Sequence, residues 1–258
     1  MVEAESLESE PLRPDPAPRD GVGLSLAPGL EVSSRVLALV GRTAEEDAFR
    51  LGTCDGALDL RPPGEHDRPG IRAVFPPDRG GSGPNPLVRA FGPRIRAVHD
   101  LTAGLGGDAY RLARAGYRVE AVERDPVVFA LVDSAWREAS RVPQEIAERL
   151  TFREAEALAV ASQIEGLDQG VYIDPMYPAP KRASAKPRRE LQVLRAWLPA
   201  DTDTRPIVDA ARERAARVVV KRPHHADPLA PDPSHTIESK LVRFDVYVNP
   251  ARLSGAGA

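Results

Sequence analysis

The chain of 258 residues carries 35 basic and 38 acidic side chains, a formal net charge of −3, with 42% hydrophobic and 28% charged residues. That length exceeds the usual span of about 100–200 residues per domain, so one large domain, or one with a small appendage, is expected. The charge balance excludes a uniformly basic coat, and no uncharged apolar run nears the roughly 18 residues that a membrane-spanning helix needs, so no membrane association is expected. The acidic opening Met1-Val-Glu-Ala-Glu5 is unlike a secretory or organellar leader. Cys54 is the sole cysteine and has no internal disulfide partner, which points to a reducing, cytoplasmic setting.

The first 20 residues combine Glu3, Glu5, Glu8, Glu10, Asp15 and Asp20 with Pro11, Pro14, Pro16 and Pro18. Such a composition buries too little apolar surface to offset ordering entropy, so residues 1–33 are expected to form a disordered tail. A small N-terminal subdomain is expected over residues 34–90. In it, Val36, Leu37, Leu39 and Val40 mark a short helix or strand, and 57–60 and 71–75 short strands. Residues 76–86 are a breaker cluster of Pro, Gly and Asn. From 91 to 258 apolar runs alternate with helical segments, the pattern of βαβ units, with strands predicted near 95–99, 117–122, 150–152, 171–173 and 217–221. Asp125-Pro126 and Val142-Pro143 open helices, and the alternation over 241–248 suits a late antiparallel edge strand. The fold class expected is α/β: a doubly wound, Rossmann-like sheet with the small N-terminal subdomain.

Two places carry chemistry. The first is Asp100-Leu-Thr-Ala-Gly104-Leu-Gly106-Gly107-Asp108, between the first strand and a helix, where glycines let a ligand approach backbone N–H groups. Gly104-x-Gly106-x-x-Ala109 also fits a dinucleotide fingerprint, so a nicotinamide cofactor stays open. Asp100 argues otherwise, since a carboxylate there repels a pyrophosphate and attracts the cationic amino-acid moiety of S-adenosylmethionine. Glu123 ends the second strand, where an acid can accept ribose hydroxyls, and Glu156, after the third, can accept from an adenine amino group. Each is also compatible with a helix cap or salt bridge.

The second place is Asp174-Pro175-Met176-Tyr177-Pro178, directly after the buried strand Val171-Tyr-Ile173. An exocyclic amine on a base is a poor nucleophile because its lone pair is delocalised. The Asp174 carboxylate and the Pro175 carbonyl can hold both N–H bonds, and Tyr177 can stack on the base. A proline-rich turn with a packed tyrosine is the bland alternative. The peptide resembles the Asp/Asn-Pro-Pro-aromatic motif of amino-group methyltransferases.

Taken together, Asp100–Asp108, Val122-Glu-Arg-Asp-Pro-Val-Val128, Val171–Pro178, Val218-Val-Val-Lys-Arg-Pro223 and Arg243-Phe-Asp-Val-Tyr247 resemble the bacterial 16S rRNA guanine-N2 methyltransferases called ribosomal small subunit methyltransferase J, over roughly residues 34–250. The resemblance implies a class I methyltransferase fold and S-adenosylmethionine as cofactor. It places Gly107, Asp108, Glu123, Arg124, Glu156, Ala157 and Asp174 at the cofactor, with Asp174 also facing the amine, and makes 16S rRNA or the small ribosomal subunit the partner. Two departures stand out: 75–86 lacks the usual basic segment, and Glu156-Ala157 replaces paired serines.

Basic side chains cluster at 181–190 (Lys181, Arg182, Lys186, Arg188 and Arg189) and again over 205–222, ending in Lys221 and Arg222. Either cluster can be a solvated face. Under the resemblance, Lys181, Arg182, Lys186, Arg188, Arg189, Lys221 and Arg222 are expected to bind RNA phosphates. His224, His225 and Cys54 lack partners at metal-ligand spacing, so no metal is expected. The open alternatives are an amino-methyltransferase acting on DNA adenine or protein glutamine, a noncatalytic RNA-binding assembly factor, and an NAD-dependent enzyme.

Overall fold

The computed structural model of the protein describes residues 22–41, 43–75, 85–176, 188–198 and 204–254. Its first sheet has three strands: β1 (Leu24–Leu26) runs parallel to β2 (Phe49–Cys54), and β2 pairs antiparallel with β3 (Ala57–Arg61). A helical turn, α1 (Ser34–Leu37), lies between β1 and β2 and is capped by the Ser33 hydroxyl. The β2–β3 hairpin turns on Asp55-Gly56, both at positive φ (50° and 84°), as a two-residue hairpin requires. Two expectations need correcting. Leu24 is buried in this sheet, inside the segment assigned to the tail, because its apolar side chain completes the core under β2. Residues 71–75 form no strand: Ile71 makes one isolated bridge to Leu60, and Ala73 and Phe75 bury their side chains from extended chain.

The main sheet confirms every strand predicted beyond residue 91. After α2 (Pro86–Phe91) come β4 (Ala97–Asp100), α3 (Gly107–Arg114), β5 (Arg118–Glu123), α4 (Pro126–Arg137), α5 (Gln144–Ala147), β6 (Leu150–Glu154), α6 (Ala157–Gln163), β7 (Gln169–Ile173), α7 (Arg189–Trp197), α8 (Thr204–Arg214), β8 (Arg217–Pro223), β9 (His235–Glu238) and β10 (Val242–Val248). The strand order is β6-β5-β4-β7-β8-β10-β9; β4 to β8 are parallel, and β10 enters antiparallel between β8 and β9. The late strand is therefore internal rather than an edge, and the edge is β9, whose largely exposed residues gave no alternating signal.

The two-residue period of the strands divides the core. Val98, Tyr172, Val219 and Val246 face the layer of α2 and α3, while Val171, Ile173, Val218, Val220 and Tyr247 face α6 and α8. α2 thus belongs to the large sheet, although the boundary drawn at residue 90 leaves it with the subdomain. A third cluster joins the N-terminal sheet to the rest: Leu24, Phe49, Leu51 and Leu60 pack on Val127, Val128 and Leu131 of α4 and on Val193, Leu194 and Trp197 of α7. Phe49 and Trp197 meet edge to face at 5.4 Å, and the Leu58 N–H donates to the Ser134 hydroxyl of α4 at 3.0 Å. Among the described residues no helix is long and apolar enough to cross a membrane.

Candidate active site

Strand order reverses at β4, whose neighbours β5 and β7 lead to opposite sides of the sheet, and open α/β sheets bind ligands at the carboxyl edge of such a point. A cleft of about 320 Å³ opens there, within the range of small-molecule sites, lined by Asp100, Glu123 and Asp174 at the ends of β4, β5 and β7 and by Gly104 of the β4–α3 turn. Arg124, Ala157, Gly107 and Asp108 also line it. Opposite them stands an apolar wall from α7 and α8, including Leu191, Leu194, Leu198 and Ile207.

The glycines divide their work. Gly104 (φ 54°) and Gly107 border the cleft, whereas Gly106 (φ 76°) is a packing glycine: a Cβ on it would lie 2.9 Å from Phe152 and Val132. Glu123 is fixed before any ligand arrives, its Oε2 accepting the Gly104 N–H at 2.9 Å and its Oε1 the Asp125 N–H at 2.8 Å. Asp125 caps α4, accepting the N–H groups of Val127 and Val128, and accepts the Trp197 indole N–H at 3.0 Å.

Asp100 is the least compensated charge. Burial pushes its carboxyl well above the usual range, the neighbouring Asp108, Asp174 and Glu123 carboxylates adding to the shift, while the N–H of Thr102 donates to it at 3.2 Å. No cation pairs with it among the described residues. A buried carboxylate beside a glycine turn suits a cationic ligand group and repels a pyrophosphate, so the residues fit S-adenosylmethionine better than a dinucleotide.

Asp174 follows β7, its backbone N–H donating to the Thr102 hydroxyl at 2.7 Å. The Lys221 ammonium donates to Asp174 Oδ2 at 2.7 Å and to Asp108 Oδ2 at 3.1 Å; Tyr172 donates to the same Asp108 oxygen at 2.7 Å, and Arg111 pairs with Oδ1. Burial raises the Asp174 carboxyl to about 6 against the lowering pull of Lys221. In Asp108 burial is outweighed by Lys221, Tyr172 and Arg111, and its carboxyl is lowered. Lys221 is held protonated by the two carboxylates although burial opposes it.

The sequence-predicted residues fare unequally. Asp100, Gly104, Gly107, Asp108, Glu123, Arg124, Ala157 and Asp174 are brought together in the cleft, with Pro175 buried beside Asp174. Gly106 supports the turn from behind, and Glu156 is exposed at the start of α6, outside the lining. Lys221 points into the cleft rather than at solvent, because two carboxylates draw it there. Arg222 is buried and bonded to the Asp227 carbonyl, and Arg189 is half exposed on Glu65 and the Pro69 carbonyl; Arg188 is exposed. Tyr177, Lys181, Arg182 and Lys186 lie outside the described residues. Sequence reasoning missed Thr102, Tyr172, Arg111 and the α7–α8 wall. Strand parity could have found Tyr172 and Lys221, since both share the face of Asp174. Among the described residues no group of three or more His, Cys, Asp or Glu side chains is placed to hold a metal ion.

Fold and cleft define a SAM-dependent methyltransferase. Residues 77–249 match the family described as "Putative SAM-dependent methyltransferase", and a crystal structure of a SAM-dependent methyltransferase from Neisseria gonorrhoeae superposes with a TM-score of 0.61 and 26% identity, over 88% of this chain and 96% of that one. The ribosomal RNA small subunit methyltransferase J of Aliivibrio fischeri is 37% identical over 232 residues, covering 80% of this chain and 88% of its own length. That of Alteromonas mediterranea is 34% identical over 204 residues, 77% of this chain and 79% of its own. The chain belongs to the ribosomal RNA small subunit methyltransferase J family.

Proposed function

We propose that the protein methylates the exocyclic N2 amine of a guanine in 16S rRNA, using S-adenosylmethionine. The observation that carries this is Asp174: its Oδ2 is tied to Lys221, its Oδ1 has no partner among the described residues, and it opens onto the same cleft as the Glu123–Gly104 cradle. Family membership supports the substrate class, since the relatives are named for ribosomal RNA of the small subunit.

Glu123 is preset to accept ribose hydroxyls, Asp100 to take a cationic amino-acid head, and the small Ala157 side chain leaves room for a purine. Bound there, S-adenosylmethionine supplies an electrophilic methyl carbon on a sulfonium. The chain's part is to prepare the nucleophile. Asp174 Oδ1 accepts one N–H of the amine and the Pro175 carbonyl the other, which turns the nitrogen lone pair toward the cleft; proline rigidity and burial fix that carbonyl. As the nitrogen gains carbon it sheds a proton, and Asp174, near 6 in the free protein, accepts it and returns it to water. Positioning of this kind contributes on the order of 7–11 kcal/mol. Tyr177 is assigned the stacking contact, worth about 1–3 kcal/mol and offsetting the cost of splaying out the base. Lys181, Arg182, Lys186, Arg188 and Arg189 are assigned to the phosphates.

The test is incubation of the full chain and labelled S-adenosylmethionine with unmethylated small subunits, naked rRNA, DNA and protein, followed by nucleoside mapping. Label in N2-methylguanosine of small-subunit rRNA is the expected result, and label confined to DNA or protein overturns the proposal. Loss of RNA binding on changing Arg188 and Arg189, with no methyl transfer by the parent to any of these substrates, would identify a noncatalytic binding factor instead.

A further inference from the structure

Three facts set Lys221 apart from the other basic residues of the clusters. β7 and β8 are parallel with Tyr172 opposite Val219 and Ile173 opposite Val220, so the next pair along is Asp174 and Lys221. The two-residue period puts Tyr172, Asp174 and Lys221 on the face covered by α3, which contributes Asp108. The ammonium therefore lies 2.7 Å from Asp174 and 3.1 Å from Asp108, carboxylates of two different elements, with only 26% of its side chain exposed.

We propose that Lys221 is a positioning residue for methyl transfer: it ties down Oδ2 of Asp174 so that Oδ1 faces the acceptor amine, and it pins the acceptor side of the cleft to the cofactor side through Asp108. The inference rests on reading Asp174 as the group that holds the amine. Two carboxylates this close repel each other, and without a shared cation one must take a proton or swing away. Lys221 resolves the conflict while leaving the outer oxygen of Asp174 available. Tyr172 and Arg111 hold Asp108 from the other sides, so the ammonium has a fixed anchor from which to aim Asp174. The charged and titratable groups that face Asp174 are Lys221 on β8, Asp108 on α3, Tyr172 on β7 and Asp100 on β4, with Glu123 on β5 beyond Asp100.

The experiment compares full-length Lys221→Met, Lys221→Gln and Lys221→Arg with the parent, measuring kcat and KM for small-subunit rRNA across pH and salt. In Lys221→Met, kcat is expected to fall on the order of 100-fold, as for a reacting group displaced by about 1 Å, with the RNA KM nearly unchanged. The acid limb of kcat/KM should move up by about one pH unit, because a cation beside the carboxylate is gone. Lys221→Arg should recover most of the rate and return the limb. Should the Met variant fail to fold, Lys221→Gln keeps an N–H donor without charge and should still raise the limb. A normal kcat and unmoved limb, with weaker RNA binding and a shallower salt dependence, would make Lys221 a phosphate contact and overturn the inference. Asp174→Asn separates the two claims: if it keeps full activity, the reading of Asp174 falls; if it is inactive while Lys221→Met is normal, only the role of Lys221 falls.

Discussion

Asp100, fully buried, and Asp174, partly exposed, are acids of one cleft whose surroundings suit them to different proposed roles. Asp174 has a cation at hand and is raised only to about 6, so at neutral pH it is ionised, as the proposed acceptor of the amine's N–H must be. The sign is fixed by the group that must be ionised: kcat/KM should fall tenfold per unit as pH drops below about 6, and Asp174→Asn should remove that limb together with at least 100-fold of the rate. Rate measurements from pH 5 to 8 check both, and a flat profile in the parent would count against the assignment. Asp100 has no cation among the described residues, and burial first, then its neighbours' carboxylates, hold its carboxyl well up. A ligand cation favours its ionised form, so cofactor binding is expected to release a proton and to tighten with rising pH through the range in which Asp100 titrates. Calorimetry in two buffers of different ionisation heat reads this directly. Asp100→Asn should abolish the buffer dependence; its persistence would place the proton elsewhere.

Among the elements, the turn from β4 into α3 is the most constrained. Gly106 sits at φ 76° with Phe152 and Val132 where a Cβ would go. Gly106→Ala should therefore cost on the order of 2–4 kcal/mol, from left-handed backbone strain and overpacking, and lower Tm by roughly 5–10 °C in a thermal melt. In Gly104→Ala the new Cβ meets only the Thr102 carbonyl oxygen, 4.0 Å away in ordinary contact, and the change carries chiefly the backbone strain, so its Tm loss should be the smaller and its cofactor affinity the more affected. The parallel strands were legible because each is a short apolar run followed by a turn or cap, as Asp125-Pro126 shows before α4. β9 was not, since a polar edge strand owes its pairing to β10 and nothing in its own pattern demands it. The hairpin at Asp55-Gly56 did carry its signal. In the cleft, residues placed by local sequence (Asp100, the glycines, Glu123, Asp174) were readable, and Tyr172 was open to strand parity, while the pairing of Lys221 with Asp174 depends on the register between strands distant in sequence. Charge counting alone sent Lys221 to the surface, and carboxylates 47 and 113 residues away in sequence turn it inward.

At the scale of the molecule, the three-stranded sheet is tied to the main sheet through α4 and α7, and α7 also borders the cleft through Leu191 and Leu194. Trp197 is central: 2% exposed, packed on Phe49 and bonded to Asp125, which sits two residues beyond Glu123. Trp197→Ala should cost about 3–5 kcal/mol and weaken cofactor binding, with the parent melting in a single calorimetric transition. Two separated transitions in the parent would show that the sheets do not share a core. Of the two tryptophans in the sequence, Trp136 lies in an aromatic cluster with Phe75, Tyr110 and Phe152, leaving Trp197 as the indole on the helix segment whose Leu194 and Leu198 line the cleft. Because Leu194 and Leu198 of the same helical segment line that cleft and Asp125 holds the indole N–H, ultraviolet emission from Trp197 is expected to change when the cleft is filled, a gauge of loading readable without any attached dye.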